Sequence, residues 1–217
     1  MGQNNEIESR YISMPIQSAE IRADENSENG ERFIEGYAAL FNQRTLIGSP
    51  KYGFYESIKE GAFSDVMGDD VRCLINHNQN YIIGRTKSKT LEISVDEKGL
   101  KFRCKLPKRS YADDLADAIS SGDVDGCSFS FQVKSQEWRW ATKEGEIDER
   151  VITKFSKLLD VAPVTYPAYQ GTSVSKRSMA DYDEAKKVHE AETRQKGNSA
   201  LSLQRAKYMF NKNQSSK

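Results

Sequence analysis

Residues 91–106, which read LEISVDEKGLKFRCKL, carry the clearest fold signal in this chain of 217 residues. Every second residue is apolar on both sides of the polar turn 96–99. The alternating residues are Leu91, Ile93 and Val95 before the turn and Leu100, Phe102, Cys104 and Leu106 after it. Two such runs joined by a short turn that contains glycine are typical of a β-hairpin with one buried face. We therefore expect antiparallel sheet in this part of the chain.

Short elements of both kinds surround this hairpin. The apolar patterns predict strands over residues 11–21, 33–41, 71–75, 126–133, 151–155 and 157–166, and helices over 55–66 and 110–121. In the second helix, Ser110 is the expected N-cap and Gly122 the residue that ends it. Many short strands with few helices predict an α+β fold. We expect an antiparallel β-barrel, closed or nearly closed, that is flanked by helices.

The composition argues against several classes of protein. The chain has 32 basic and 32 acidic residues, whereas general nucleic-acid binders are usually strongly basic. No apolar run approaches the ~18 residues of a membrane span, and the N-terminus lacks the apolar stretch of a signal peptide. Three cysteines do not make a disulfide framework, so a reducing cytosol is the simpler interpretation. We expect neither nucleic acid nor membrane as a partner.

The two ends of the chain differ from its middle in amino-acid composition. Residues 1–10 are polar and are expected to be disordered, and residues 11–178 are expected to form the folded domain. Eight basic and five acidic residues follow residue 180, which gives this end a net charge of +3. We interpret residues 179–217 as a charged, partly helical and detachable tail, with a break at Gly197 and Asn198. An ordinary C-terminal helix packed on the barrel is the alternative.

The stretch GCSFSF at residues 126–131 holds the candidate nucleophiles. Because side chains alternate along a strand, Cys127 shares the apolar face with the two phenylalanines and Ser128 lies on the other face. The thiol is therefore expected in the core and Ser128 is the accessible hydroxyl. Gly126 permits close approach of a backbone and could free an N–H group for an oxyanion. An ordinary strand of small residues remains the alternative.

A serine nucleophile needs a base, and His77 is the candidate. It follows an apolar strand and stands between two asparagines, whereas the other histidine, His189, falls in the charged C-terminal segment. Asp160 is an acid inside the apolar run 158–164, and a carboxylate at such a place usually has an assigned partner. That partner could be His77, or Asp160 could form a local ion pair with Lys157 or an arginine.

Metal and cofactor sites are not expected. Cys73 and His77 are four residues apart, but the chain has no C-x-x-C pair, and its cysteines alternate with apolar neighbours. It also lacks a P-loop, a G-x-G-x-x-G segment after a strand, and an H-E-x-x-H motif.

Six segments, in order, make the chain similar to the HK97-type prohead proteases of tailed bacteriophages, over roughly residues 12–174. They are FIEGYAALF (33–41), YES to GAF (55–63), LINHN with IGR (74–85), DEKGL (96–100), GDVDGCSFSF (122–131) and DVAPVTYPAY (160–169). Each segment alone is weak, and their common order makes the resemblance specific. The family usually has glycine at the position of Ser130, and often glutamate at the position of Asp160.

The resemblance implies a fold like that of the herpesvirus assemblins and a serine endopeptidase that acts inside the immature capsid. It implies Ser128 as nucleophile, His77 as general base and Asp160 as the orienting acid. Its implied substrates are the scaffold, the scaffolding part of the major capsid protein, and the protease itself. The site of action would be the prohead in the cytoplasm of the bacterial host. A homo-oligomer is left open. The competing hypothesis is a non-catalytic assembly protein that binds capsid or scaffold, and a generic β-barrel binding module is the minor one.

Overall fold

The structure is a computed structural model that describes residues 7–12, 22–23, 32–166 and 173–214. The larger part of the predicted strand 11–21 lies outside these ranges. The described strands are β1 Glu8–Ile12, β2 Arg22–Ala23, β3 Arg32–Leu40, β4 Thr45–Gly48, β5 Gly53–Ile58, β6 Arg72–Leu74, β7 Ile82–Arg85, β8 Leu91–Val95, β9 Gly99–Lys105, β10 Gly126–Arg139 and β11 Glu149–Val164. The described α-helices are α1 Ser110–Ser121 and α2 Ser173–Gln214.

The described strands form two sheets, and the larger one is organised around β11. Its main path runs β1-β10-β11-β5-β4, and β6 joins β11 beyond β5 and pairs with β7. The long strands β10 and β11 pair in antiparallel register, with bulges between residues 130 and 136. Because β11 has 16 residues, its first part pairs with β5 and its later part with β6. This arrangement places β6 on the other side of β11 from the part of β10 that carries the candidate serine.

The smaller sheet has the order β2-β3-β9-β8 and contains the predicted hairpin. The hairpin of residues 91–106 is confirmed: Leu91 pairs with Cys104 and Val95 with Leu100. The predicted strand 33–41 is also confirmed as β3, which pairs with β9. The inner faces of both sheets and α1 enclose one apolar core, in which Phe63, Phe129 and Phe155 are fully or almost fully buried.

The α+β class is confirmed, but the expected antiparallel barrel is not what the described strands form. β11 pairs in parallel with both β5 and β6, so the larger sheet is mixed. In the described part of the chain, hydrogen-bonded ladders connect the strands into two open sheets and not into one closed ring. The prediction missed the parallel pairs because alternation within a strand shows which face is buried, not which way its neighbour runs.

The predicted helix over residues 55–66 is wrong. Residues 53–58 form β5, in which Phe54, Glu56 and Ile58 alternate inward, and turns follow from residue 60 to residue 68. The alternation was hidden because one of the three inward positions is a glutamate. Glu56 is buried among arginines instead of facing water, and the sequence does not reveal such pairing.

Two other boundaries also differ from the prediction. The strands expected at 151–155 and 157–166 are one continuous strand, β11, and Ser156, the single residue between them, is exposed. The expected disordered segment 1–10 is wrong for Glu8–Arg10, which belong to β1 and pair with β10. The side chains of Glu8 and Arg10 are buried, and their charges are satisfied by partners far along the chain.

Helix α1 has the predicted bounds. The residue predicted to end it is confirmed, but the predicted N-cap is not. Gly122 ends the helix in the left-handed conformation with φ 82°, which glycine adopts without steric cost. The N-cap, however, is Arg109 and not Ser110, and no side chain caps the first turn.

Contacts divide the chain into two units, Met1–Lys176 and Arg177–Lys217. Most of helix α2 lies in the second unit, and the predicted break at Gly197 and Asn198 is wrong, because the helix continues to Gln214. A glycine inside a helix costs only about 1 kcal/mol relative to alanine, which flanking helix formers offset. No described helix has a stretch apolar enough to span a membrane.

Removing residues 191–217 is expected to leave the stability of the rest unchanged. All side chains from residue 191 to residue 205 are exposed, so a chain that ends at Glu190 loses little buried surface there. Exposed positions typically change the free energy of unfolding by less than about 0.5 kcal/mol. Thermal melting should give a midpoint within roughly 2 °C of the full chain. Insolubility, or a midpoint many degrees lower, would show that this segment is part of the fold.

Candidate active site

Ser128 lies near the start of β10, between β1 and β11. Its Cα pairs with Tyr11 on one side and with Ala162 on the other. As the alternation predicts, Phe129 and Cys127 belong to the apolar core, whereas the Ser128 hydroxyl faces a group of polar atoms. Ser128 Oγ lies 2.7 Å from His77 Nε2 and 2.9 Å from the backbone oxygen of Arg10. The strand therefore separates the hydroxyl from the thiol, as expected.

The environment of Cys127 makes its thiol a poor nucleophile. Burial raises the pKa of Cys127 to about 12, so the thiol stays protonated near neutral pH. Since the thiolate is the reactive form of cysteine, Ser128 is the better candidate in this strand.

Cys127→Ala is expected to keep most of the activity and to lower stability. The change deletes a buried sulfur atom and should cost at least about 1 kcal/mol of unfolding free energy. In a chain of this size that loss lowers the melting midpoint by roughly 2–4 °C. A cleavage assay and a melting curve on the same preparation test this. Loss of cleavage with an unchanged midpoint would instead assign the nucleophile to Cys127.

His77 is held by a tight turn between β6 and β7. Residues Ile75–His77 form a single 3-10 turn, in which Asn76 and His77 have φ angles of 52° and 57°. Residues other than glycine rarely adopt this left-handed region, which costs energy and is concentrated at functional sites. The Asn76 side chain anchors the turn, since its Oδ1 accepts hydrogen bonds from Thr165 N at 3.0 Å and from Thr165 Oγ1 at 3.2 Å. The turn thus fixes the imidazole relative to the end of β11.

The three residues singled out from the sequence lie in contact. His77 Nε2 is 2.7 Å from Ser128 Oγ, and His77 Nδ1 is 2.5 Å from Asp160 Oδ1. The histidine side chain is partly exposed and the Asp160 side chain is largely buried. Asp160 is positioned by β11, where its Cα pairs with Ser130 of β10 and with Arg72 of β6. Strands β10 and β11 therefore position Ser128 and Asp160, and the turn after β6 positions His77 between them.

The alternative ion pair between Asp160 and Lys157 is not present. Lys157 Nζ binds Asp69 Oδ1 at 3.0 Å, and the Leu158 backbone N–H donates to the same carboxylate. The carboxylate of Asp160 is directed at the imidazole.

The hydrogen bonds assign a tautomer to His77. An ionised carboxylate only accepts, so Nδ1 must carry the proton that is donated to Asp160. In the neutral ring Nε2 is then an acceptor and can take the hydroxyl proton of Ser128. This arrangement can remove a proton from Ser128 and hold the resulting imidazolium beside a carboxylate, which is the chemistry of acyl transfer.

Two contacts at this site were not predicted from the sequence. Ser130 Oγ lies 3.2 Å from His77 Nδ1 and 2.8 Å from Ser9 Oγ, so it is a second polar neighbour of the base. Ser130 lies two residues after Ser128 on the same strand, so the alternation of side chains places both hydroxyls on one face. The second contact, between the Arg10 carbonyl and Ser128, had no signal in the sequence, because it depends on the pairing of β1 with β10.

The described residues contain no group of three or more histidine, cysteine or acidic side chains arranged to hold a metal ion. Cys73, Cys104 and Cys127 are buried free thiols.

A family profile and a phage protein of similar sequence agree with the resemblance seen in the sequence. The profile of the caudovirus prohead serine proteases matches residues 17–186. The prohead protease of Enterobacteria phage HK97 is 25% identical over 174 residues, which cover 78% of this chain and 69% of that protein. The structure of the bacteriophage T4 capsid assembly protease gives a TM-score of 0.47 at 17% identity, covering 75% of this chain and 100% of that one. The profile spans well over half of the chain, and the chain therefore belongs to the caudovirus prohead serine protease family, as a serine peptidase of phage prohead maturation.

Proposed function

We propose that Ser128, His77 and Asp160 are the catalytic residues of this peptidase. The observation that carries the proposal is the position of the imidazole, which bridges the Ser128 hydroxyl at 2.7 Å and the Asp160 carboxylate at 2.5 Å. Ser128 and Asp160 lie 51 and 83 residues after His77 in the sequence. Their contacts with the imidazole therefore depend on the whole fold.

The mechanism is acyl transfer in two steps. Ser128 Oγ attacks the carbonyl carbon of the scissile peptide while His77 Nε2 takes the hydroxyl proton. His77 returns that proton to the leaving amine as the C–N bond breaks, and an ester to Ser128 remains. Water then attacks the ester with His77 as base, and Ser128 regains its proton. Asp160 keeps Nδ1 protonated throughout and stabilises the imidazolium in both steps.

The substrates we propose are the major capsid protein or its scaffold, and the protease itself. Family membership and the similarity to the prohead protease of phage HK97 support a substrate inside the prohead. The site of action would then be the assembling capsid in the host cytoplasm.

We also propose that residues 179–217 form a detachable tail that carries the enzyme into the scaffold. Such packaging would raise the effective concentration of tethered substrates.

We further propose that the two sheets correspond to those of a herpesvirus-protease-like barrel. Superposition of a crystal structure of this chain on a herpesvirus protease would test this, since strands that do not superpose in the same order would contradict it.

A fluorophosphonate reagent tests the proposed nucleophile directly. Mass spectrometry of the labelled chain should find the phosphonyl group on Ser128, because an activated serine reacts with such reagents and an ordinary one does not. Ser128→Ala should abolish labelling and the cleavage of capsid protein, whereas Ser94→Ala, at an exposed position of β8, should change neither. Capsid protein that is bound but never cut, by a chain in which the reagent never labels Ser128, would favour the assembly-protein hypothesis.

A further inference from the structure

Strand β1 lies where a bound peptide would have to lie to present a carbonyl group to Ser128. It extends the sheet along β10 in antiparallel register, with Ser9 opposite Ser130 and Tyr11 opposite Ser128. Addition of a strand to an exposed sheet edge is a common way to bind an extended peptide. The backbone oxygen of Arg10 accepts a hydrogen bond from Ser128 Oγ at 2.9 Å. Ser128 is only 4% exposed, so a substrate cannot reach it while β1 is in place.

The contact with Arg10 also competes with activation of the nucleophile. The Ser128 hydroxyl has one proton, which it can donate either to the Arg10 carbonyl or to His77 Nε2. When the proton goes to the carbonyl oxygen, the hydroxyl is not directed at the base. The strand therefore both covers Ser128 and favours an inactive hydrogen-bond arrangement.

The buried charged side chains of Glu8 and Arg10 hold β1 against the sheet. Arg10 makes two hydrogen bonds with Glu56, at 2.5 and 2.9 Å. Glu8 receives two from Arg150, at 2.8 and 2.9 Å, and one from Arg10 at 2.6 Å. Burial opposes ionisation of Glu8, but hydrogen bonds and charge from the two arginines outweigh it and lower the pKa of Glu8 to about 2. A buried ion pair is by itself weak evidence of stability, because taking two charges out of water can cost more than their attraction returns.

The partners of β1 form a preorganised, charge-balanced pair. Glu56 of β5 and Arg150 of β11 are direct neighbours in the sheet, and Arg150 Nη1 binds Glu56 Oε2 at 2.9 Å. The Gln136 side chain also accepts a hydrogen bond from Arg150 Nε, at 2.6 Å. If β1 leaves, these groups still neutralise one another, so the vacated groove would hold no isolated buried charge. Such a groove suits a strand with an acidic residue two positions before a basic one.

We propose that β1 occupies the peptide groove of the site as an internal substrate analogue, and that Glu56 and Arg150 select the substrate side chains. Glu56 receives a basic residue whose carbonyl is presented to Ser128, and Arg150 receives an acidic residue two positions earlier. The chain is latent while β1 is bound and active when β1 leaves. This inference rests on the catalytic assignment proposed above.

A disulfide between β1 and β10 tests the occupancy in the full chain. Ser9 and Ser130 face each other, with their Oγ atoms 2.8 Å apart, so S9C/S130C can be oxidised to lock β1 and reduced to release it. Because Ser130 touches His77, the oxidised and reduced forms of the same protein are compared. Fluorophosphonate labelling of Ser128 should be at least about tenfold slower in the oxidised form. Equal rates in both forms would overturn the inference.

A second variant releases β1 without a disulfide. E8Q/R10M removes both charges at nearly constant side-chain volume and should label faster than wild type. Ile7→Thr, at the exposed residue before β1, is the matched control and should label at the wild-type rate. If E8Q/R10M melts like wild type but does not label faster, the inference fails. If neither the wild type, the reduced form nor this variant is ever labelled on Ser128, the catalytic assignment itself fails, and this inference with it.

Two peptides added to E8Q/R10M test the selectivity. The peptide IESRYI, copied from residues 7–12, should suppress labelling or be cleaved after its arginine. The exchanged peptide IRSEYI has the same composition and should do neither at concentrations at least about tenfold higher. Equal effects of the two peptides would show that Glu56 and Arg150 do not select the side chains.

Discussion

Replacing Ser128 or His77 by alanine is expected to lower the rate of peptide cleavage by about a million-fold. In the proposed mechanism, Ser128→Ala removes the atom that forms the ester, and His77→Ala removes the base that lies 2.7 Å from it. The two losses should be equally severe and should not add, because neither residue activates a substrate without the other. Cleavage of capsid protein over time, measured with each single variant and the double variant, checks this expectation.

The control for these variants is their stability. Ser128 and His77 lie on a buried strand and a strained turn, so each variant must be compared at a matched fraction of folded protein. A fully active Ser128→Ala protein would overturn the serine mechanism. A wild-type chain that melts normally but does not cleave is not sufficient evidence against the serine mechanism, because β1 covers Ser128. In that case, fluorophosphonate labelling of the E8Q/R10M variant decides whether Ser128 is the nucleophile.

Asp160→Asn is expected to lower the cleavage rate by roughly ten-thousand-fold and to leave slow but measurable activity. The amide nitrogen of asparagine can donate to His77 Nδ1, which would place the imidazole proton on Nε2. That nitrogen could then no longer accept the proton of Ser128. The effect should be smaller than that of Ser128→Ala, because the nucleophile and base are both retained. Initial rates over long incubation, with self-cleavage as a second readout, give the ranking.

Asp117→Asn is the matched control, since it makes the same change on the exposed face of α1 and should have no effect. Wild-type rates in Asp160→Asn would remove Asp160 from the site and leave Ser130, 3.2 Å from His77 Nδ1, as the group that orients the base.

Local pattern was sufficient to predict the elements with one apolar face. The hairpin β8–β9, strand β3 and helix α1 were predicted because their side chains alternate or recur with the period of their own backbone. The same alternation predicted that the side chains of Ser128 and Cys127 lie on opposite faces of their strand. The pattern failed at β5, where buried Glu56 breaks the apolar alternation, and at Gly197, where the surrounding helix outweighs the preference of one residue.

The amino-acid sequence was sufficient to indicate which residue types are available for acyl transfer and, through the order of six segments, the family to which the chain belongs. The contacts of His77 with Ser128 and Asp160 could not be read from it, because they join residues 51 and 83 positions apart. The same is true of β1, whose Glu8 binds an arginine 142 residues away. Propensity and periodicity act over a few residues, whereas pairing partners are chosen by the packing of the complete chain. The sequence therefore indicated the chemistry, and long-range strand pairing determined both the geometry of the three side chains and the burial of Ser128 beside β1.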